Sequence, residues 1–126
     1  MSGFSFDSNI IIDAFAGFEP ARVEIRRAAG DGRRPWISRM VWVEILSKGS
    51  AEQVRSAETF LAGFGIDELD AKTADLAATL RRERARLKSP DAIIIASALV
   101  HGRILVTRNT KDFPADMPGI RIPYTF

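Results

Sequence analysis

The sequence has no cysteine and a single histidine, His101, among its 126 residues. The lack of cysteine excludes disulfides, thiolate metal sites and a cysteine nucleophile, and it is typical of proteins of the reducing cytosol. A zinc site of the usual kind is excluded too, because it needs several cysteines or histidines. His101 precedes Gly102 at the predicted end of a helix, where an imidazole commonly interacts with the helix dipole.

The sequence also lacks a glycine-rich phosphate loop, a basic leader followed by an apolar stretch, and an apolar run long enough to span a bilayer. The formal net charge of +2 is close to balance. We therefore expect a soluble, intracellular protein that does not contact a membrane. Its length predicts one domain over residues 1–126 with a single core.

Short β-type runs alternate with helical patterns along the chain. Strands are predicted at residues 4–6, 36–38, 64–66, 103–107 and 119–122. Helices are predicted at residues 9–15, 20–30, 40–46, 51–62, from 71 into an arginine-rich stretch, and 89–101. This alternation predicts an α/β protein with three layers, in which a short central parallel sheet is flanked by helices. In the second helix, Val23 and Ile25 are expected to face the core.

Four acidic residues lie where core-building segments meet turns: Asp7, Glu44, Asp91 and Asp112. Ionised carboxylates among apolar residues are unfavourable unless they are paired or bind a cation. In parallel sheets, ligands gather at the carboxyl ends of the strands, so these side chains are expected to converge there. A hard divalent cation, Mg²⁺ or Mn²⁺, is the natural partner of such a cluster, with Asp7 and Asp91 as the strongest ligand candidates. The pattern indicates metal-assisted phosphoryl chemistry.

Taken singly, these acids have structural alternatives, since Asp91 suits a helix cap and Asp7 suits an Asx-turn. Polar neighbours that could orient the carboxylates or hold water are Ser8, Asn9, Ser38, Thr107 and Asn109. Six other acids punctuate the predicted helices and turns and are interpreted as solvated surface charges: Asp13, Glu19, Glu24, Asp67, Glu68 and Asp75.

A basic stretch leads directly into Asp91 and consists of Arg81, Arg82, Arg84, Arg86 and Lys88. Arginine is the cation best suited to bidentate contact with phosphate. We expect part of this stretch to border the acidic cluster, with Arg82 and Arg86 as candidate substrate contacts. The alternatives are a solvated helix end or a face that binds a partner protein.

Four segments together resemble PIN-domain ribonucleases, and especially the VapC toxins of bacterial type II toxin–antitoxin modules. These segments are FDSNIIIDAF, ISRMVWVEIL, SPDAIIIASALVHGRILVTRNTKDF and GIRIPY. The similarity spans nearly the whole chain, although the middle helices match only by pattern. The resemblance implies a Mg²⁺- or Mn²⁺-dependent endoribonuclease whose acidic triad is Asp7, Glu44 and Asp91.

The fourth acidic position of that family is open in this sequence. Many relatives have an aspartate at the position that matches Asn109, whereas here Asp112 follows three residues later. Either Asp112 supplies the fourth carboxylate or Asn109 contributes as a neutral partner. Thr107 and Ser38 match small hydroxyl positions near the family's site.

The resemblance also implies partners: an RNA substrate, a cognate antitoxin, a second copy in a homodimer, and promoter DNA through the antitoxin complex. Two other classes of protein remain open at this point. One is a receiver-like, Mg²⁺-binding signalling domain, and the other is a noncatalytic RNA-binding domain. Labelling by acetyl phosphate would support the first, and metal-independent RNA binding without cleavage would support the second.

Overall fold

The computed structural model describes residues 3–113 and 117–126, and in this part of the chain five parallel strands form one sheet. The strands are β1 Phe4–Phe6, β2 Trp36–Ser38, β3 Gly65–Asp67, β4 Ile104–Val106 and β5 Ile120–Arg121. Their spatial order is β3-β2-β1-β4-β5, so β1 lies in the middle of the sheet. The helices are α1 Ser8–Phe15, α2 Glu19–Ala28, α3 Arg39–Leu46, α4 Ala51–Leu61, α5 Ala71–Glu83 and α6 Ser89–Val100.

The fold class predicted from the sequence is confirmed, because helices flank a short parallel sheet in an α/β/α arrangement. The core lies where the inner strands meet α1 and α6, with Phe6, Ile37 and Leu105 fully buried. Helix α6 is apolar on nearly all sides, and its residues 94–98 are all buried. A helix of this kind belongs inside a protein.

Side-chain caps define where several helices begin. Ser38 Oγ accepts a hydrogen bond from Val41 N at 3.2 Å, and Asp70 Oδ1 accepts one from Thr73 N at 2.9 Å. Asp70 is thus the N-cap of α5. Such caps satisfy backbone N–H groups that have no partner inside the helix.

Two local predictions are wrong. Strand β3 begins at Gly65 and ends at Asp67, one residue later than expected. Val23 does not face the core, since its side chain is 44% exposed, whereas the neighbouring Glu24 is buried. An ion pair explains why Glu24 rather than Val23 faces inward. Arg121 Nε donates to Glu24 Oε1 at 2.8 Å, so the Glu24 side of α2 lies toward β5. Ile25 packs partly buried against the core as predicted.

Helix α5 ends earlier than its composition suggests. Arg81 and Arg82 lie in its last turn, but residues 84–88 form a loop rather than further helical turns. The helix stops because Leu87 is buried in the core, and its carbonyl accepts a hydrogen bond from Arg81 Nε at 3.0 Å. The basic stretch therefore consists of two parts, the last turn of α5 and a loop that precedes α6.

Candidate active site

Asp7 directly follows the central strand and is buried at the carboxyl edge of the sheet. Its backbone N donates to Val106 O at 2.9 Å, which continues the pairing of β1 with β4. Its carboxylate accepts hydrogen bonds from Thr107 Oγ1 at 2.7 Å and from Ser8 N at 2.8 Å. Asp7 therefore also caps α1, which is a local role close to the turn function considered from the sequence.

Burial raises the pKa of Asp7, although hydrogen bonds from Thr107 and Ser8 act in the opposite direction. The nearby negative charge of Glu44 raises this pKa further. Glu44 extends from α3, is partly exposed, and accepts a hydrogen bond from Ser8 Oγ at 2.5 Å. Ser8 thus binds both acids, through its backbone to Asp7 and through its hydroxyl to Glu44.

Asp91 lies in the first turn of α6 and is half-buried. It is not the cap of that helix, because the N-cap residue is Lys88, so the cap alternative is wrong. Burial, followed by the charges of three carboxylate neighbours, raises the pKa of Asp91 from 3.8 to about 6. Those neighbours are Asp7, Asp112 and Glu44, and Asp112 also shares a hydrogen bond with Asp91. The structure therefore brings all four acids together from four distant segments.

Asp112 and Asn109 bind each other at the entrance to this cluster. Asn109 Nδ2 donates to Asp112 Oδ2 at 3.0 Å, and Asp112 N donates back to Asn109 Oδ1 at 3.2 Å. Asn109 N also donates to Thr107 Oγ1 at 3.0 Å. Because Thr107 donates to Asp7, a chain of hydrogen bonds joins the two ends of the acidic cluster.

All four candidate ligands offer oxygen, which is the donor that Mg²⁺ and Mn²⁺ prefer. A cation between them would relieve the repulsion that raises the pKa of Asp91. In residues 3–113 and 117–126, no three acidic or histidine side chains stand in the arrangement of a preformed metal site. The donor chemistry of the four acids fits a divalent cation.

Two of the polar residues that the sequence predicts near the acids, Asn9 and Ser38, have different roles. Asn9 lies inside the site, since its Nδ2 donates to Thr107 Oγ1 at 3.2 Å and to Asp7 Oδ2 at 3.3 Å. Ser38 is buried and caps α3, so it positions the helix that carries Glu44. The contact found for its hydroxyl is with Val41 N.

The site has a basic flank that is formed by the loop before α6. A cleft of about 480 Å³ opens here on Asp112. Its basic lining residues are Arg84, Arg86 and Lys88 of this loop, and Lys111 from the segment after β4. Arg82 is not among the residues that line this cleft, and its guanidinium instead donates to Thr79 on the exposed face of α5. Of the two arginines chosen from the sequence, only Arg86 borders the cleft.

On the other side of the acidic cluster lies an apolar groove of about 370 Å³ between α1, α3 and α4. Its walls include Ile12, Phe15, Ile45 and Phe60, and Glu44 is one of its lining residues. Ile12 and Phe15 are both exposed despite their apolar character. An exposed apolar groove of this kind is typical of an interaction site.

Three acids that the sequence analysis placed on the surface are buried: Asp13, Glu24 and Asp67. Each is held by an arginine, respectively Arg108, Arg121 and Arg103. Asp67 ends β3, where a receiver-like domain would need a phosphoryl acceptor, but Arg103 binds both of its oxygens, at 2.7 and 2.9 Å. This arrangement argues against the receiver interpretation.

Arg108 is the residue near the site that sequence reasoning missed. Its Nε donates to Asp13 Oδ2 at 2.7 Å, which also accepts from Tyr124 OH at 2.8 Å. Its backbone N donates to Asn9 Oδ1 at 3.3 Å, and its charge partly offsets the rise that burial causes in the pKa of Asp7. The sequence feature that could have identified it is its position directly after Thr107, which places a basic residue at the edge of the sheet where the acids gather.

The raised pKa of Asp91 predicts how stability depends on pH in the metal-free protein. Folded Asp91 binds its proton more tightly than the unfolded chain does, so stability should fall as pH rises from about 4 to about 6. We expect this group to contribute about 1 kcal/mol to the fall, after allowance for solvent screening at a half-exposed site. The measurement is the free energy of unfolding in urea across this range, in EDTA and in Mg²⁺.

The Asp91→Asn variant serves as the control for this pH series, because it lacks the titrating group. Its stability should depend less on pH than that of the wild type, and Mg²⁺ should reduce the wild-type fall by favouring the ionised carboxylate. Identical slopes for the two proteins would show that Asp91 does not carry the shift. Glu24 acts in the opposite direction, since the hydrogen bond from Arg121 lowers its pKa and its contribution to stability is lost as pH falls.

No helix within the described residues is both long enough and apolar enough to cross a membrane.

The PIN domain family model matches residues 5–115 of the chain. None of the curated proteins matches it at a significant level.

Several solved structures are similar over most of the chain. A toxin–antitoxin complex from Klebsiella pneumoniae contains a chain with 36% identity and a TM-score of 0.85, and the match covers 97% of this chain and 98% of that one. DNA-bound VapBC from Salmonella typhimurium gives 26% identity, a TM-score of 0.80 and coverage of 97% of both chains. VapBC2 from Rickettsia felis, bound to a promoter DNA fragment, gives 25% identity and a TM-score of 0.75 over 87% of this chain and 90% of that one. The chain therefore belongs to the PIN domain family, and within it to the proteins of the VapC type.

Proposed function

We propose that this protein is a divalent-metal-dependent endoribonuclease and the toxin of a toxin–antitoxin pair. The observation that carries the proposal is the convergence of four carboxylates at one edge of the sheet. Burial, together with the charges of the other three acids, raises the pKa of Asp91 to about 6. The similarity to chains of toxin–antitoxin complexes supports the assignment to a toxin nuclease.

In the proposed mechanism, Asp7 and Asp91 hold Mg²⁺ or Mn²⁺, and Glu44 and Asp112 complete its acidic surroundings. When bound, the metal ion supplies an activated water and neutralises charge on the phosphodiester. Ser8 and Thr107 keep the oxygens of Glu44 and Asp7 in fixed orientations through the hydrogen bonds described above. Residues of this kind support the ligands from outside, and they commonly change activity when they are removed.

We assign the fourth acidic position to Asp112, with Asn109 as the residue that positions it. Asp112 contacts Asp91, whereas the Asn109 side chain contacts Asp112. Asp112→Asn should therefore reduce cleavage by about 10- to 100-fold, and Asn109→Ala should have a smaller effect. The measurement is the rate of RNA cleavage as a function of Mg²⁺ concentration.

If Asn109 positions Asp112, the two variants should depend on Mg²⁺ concentration in different ways. Asn109→Ala should require more Mg²⁺ and recover most of its rate at saturation, while Asp112→Asn should remain slow. If Asn109→Ala is instead the slower variant at saturating Mg²⁺, the asparagine itself fills the fourth position. Asn109→Asp then becomes the informative variant.

The proposed antitoxin partner binds the apolar groove between α1, α3 and α4. The groove offers exposed Ile12 and Phe15 to an apolar segment, and Glu44 at its edge belongs to the acidic cluster. A segment that fills this groove would lie beside the site and limit access to it. Homodimer formation is part of the same proposal, and light scattering of the chain with and without antitoxin would test both associations. Contact with promoter DNA through the antitoxin complex is a further part of the proposal.

The experiment that tests the activity is an RNA cleavage assay with purified chain, in Mg²⁺ and in EDTA. Cleavage should require the metal and should be lost in Asp7→Asn, which preserves the size of the side chain. Cleavage that persists in EDTA or in Asp7→Asn would contradict the mechanism. RNA binding with no cleavage under any metal condition would favour the noncatalytic alternative.

A further inference from the structure

We propose that the basic cleft, defined as Arg84, Arg86, Lys88 and Lys111, binds the phosphates of single-stranded RNA next to the scissile bond. This inference rests on the proposed nuclease function and specifies how its substrate is held. The cleft has a volume of about 480 Å³, and its remaining lining residues are Leu87 and Asp112. Because Asp112 also faces Asp91, the cleft and the acidic cluster share a wall.

The loop that carries three of these cations is hydrogen-bonded to the end of α5 and anchored by a buried residue. Leu87 is only 3% exposed, and its backbone N donates to Arg84 O at 3.0 Å. Arg84 N in turn donates to Leu80 O at 2.9 Å, and Arg81 Nε binds the carbonyl of Leu87 at 3.0 Å. The buried leucine anchors the loop, while Arg84, Arg86 and Lys88 remain exposed on its outer side.

The charges of the cleft are available to a ligand. Arginines elsewhere bind carboxylates, as Arg39 does with Glu68 and Arg103 with Asp67. By contrast, no cation of the cleft forms an ion pair with an acid of the described segments 3–113 and 117–126. Four unneutralised cations around one cleft create a positive potential that attracts a polyanion.

The position of the cleft favours RNA over an acidic protein segment. Phosphates that approach four clustered carboxylates are repelled, and the neighbouring positive cleft offsets that repulsion at the place where the strand must pass. The walls consist mainly of long charged side chains, with one buried aliphatic residue, Leu87. Apolar surface that suits a peptide lies instead in the groove on the Glu44 side. The two surfaces therefore flank the acidic cluster, and each suits a different ligand.

The test compares two double variants with equal loss of charge. Arg84→Ala/Arg86→Ala removes two cations of the cleft, and Arg55→Ala/Lys72→Ala removes two exposed cations outside it. Binding of a short fluorescent single-stranded RNA is measured by anisotropy in EDTA over a salt series, so that cleavage does not interfere. Circular dichroism verifies that both variants are folded.

We expect the cleft variant to bind RNA about 3- to 30-fold more weakly than the wild type. The slope of log affinity against log salt should fall by about 1.4, since each phosphate contact on a single strand contributes about 0.7. The control variant should keep the wild-type slope. Equal losses in both variants would reduce the effect to overall charge and overturn the proposal, as would an unchanged affinity in the cleft variant.

A poly-glutamate peptide serves as the competing probe. If the cleft variant loses affinity for this peptide and keeps its affinity for RNA, the cleft is a site for acidic protein segments and the RNA assignment is wrong. Cleavage assays in Mg²⁺ separate the two proposals. Wild-type protein that cleaves RNA, together with a cleft variant that binds and cleaves equally well, refutes the cleft alone. Weaker RNA binding by the cleft variant, with no cleavage by the wild type, supports the cleft and refutes the nuclease function.

Discussion

Asp91→Asn should abolish metal-dependent RNA cleavage, with a loss of more than about 100-fold, while the protein stays folded. The carboxylate of Asp91 lies among three others, so its removal takes away a metal ligand and one source of repulsion at the same time. Cleavage of a labelled RNA in Mg²⁺ gives the activity, and urea unfolding at neutral pH gives the stability.

Two effects on stability oppose each other in this variant. Asp91 lies in the first turn of α6, where a negative charge gains about 0.3–1 kcal/mol from the helix dipole. Burial and the neighbouring carboxylates disfavour the same charge, and the raised pKa shows that they prevail. We therefore expect the stability of Asp91→Asn at neutral pH to equal or slightly exceed that of the wild type.

Asp75→Asn is the matched control for this experiment, because it makes the same substitution on the exposed side of α5. It should leave both cleavage and stability close to the wild type. Full activity in Asp91→Asn would exclude Asp91 as an essential ligand. A large loss of stability would instead show that Asp91 has a structural role in α6.

The sequence predicts the fold and the membership of the acidic cluster well, for a physical reason. Strand β4 is a run of apolar residues, β1 has a phenylalanine on each side of Ser5, and polar residues follow the two strands at Asp7 and Thr107. In a parallel sheet all such ends lie at one edge, so strand order is not needed to infer that the acids converge. The catalytic roles of these residues remain predictions that the cleavage assays test.

The buried ion pairs could not be predicted in the same way. Asp13 and Arg108 are 95 residues apart, and Glu24 and Arg121 are 97 apart, so each pair depends on which strands and helices become neighbours. A helical pattern alone places an acid on the surface, because it does not show that an arginine from another element lies opposite. The same limit applies to the loop before α6, where burial of Leu87 ends a helix that the composition would continue.

Asp67→Ala should destabilise the protein by about 3–5 kcal/mol, the usual result when one partner of a buried ion pair is removed. Asp67 is 4% exposed and Arg103 is 10% exposed, so the substitution removes the buried carboxylate that pairs with this arginine. Arg103 also stacks on the ring of Trp36, with its guanidinium carbon 3.7 Å from the ring centroid. Trp36 in turn lies against Gly65, where any side chain would collide with the ring.

The neighbouring residue offers a control, because Glu68 is also paired with an arginine, Arg39, but its side chain is 63% exposed. Glu68→Ala should change the free energy of unfolding little, since exposed pairs gain little beyond what water offers. The double variant Asp67→Ala/Arg103→Met should recover part of the loss, because it also removes the buried charge that Asp67 partners. If the double variant is no more stable than Asp67→Ala in urea unfolding, the loss comes from packing around Asp67 rather than from the buried charge of Arg103.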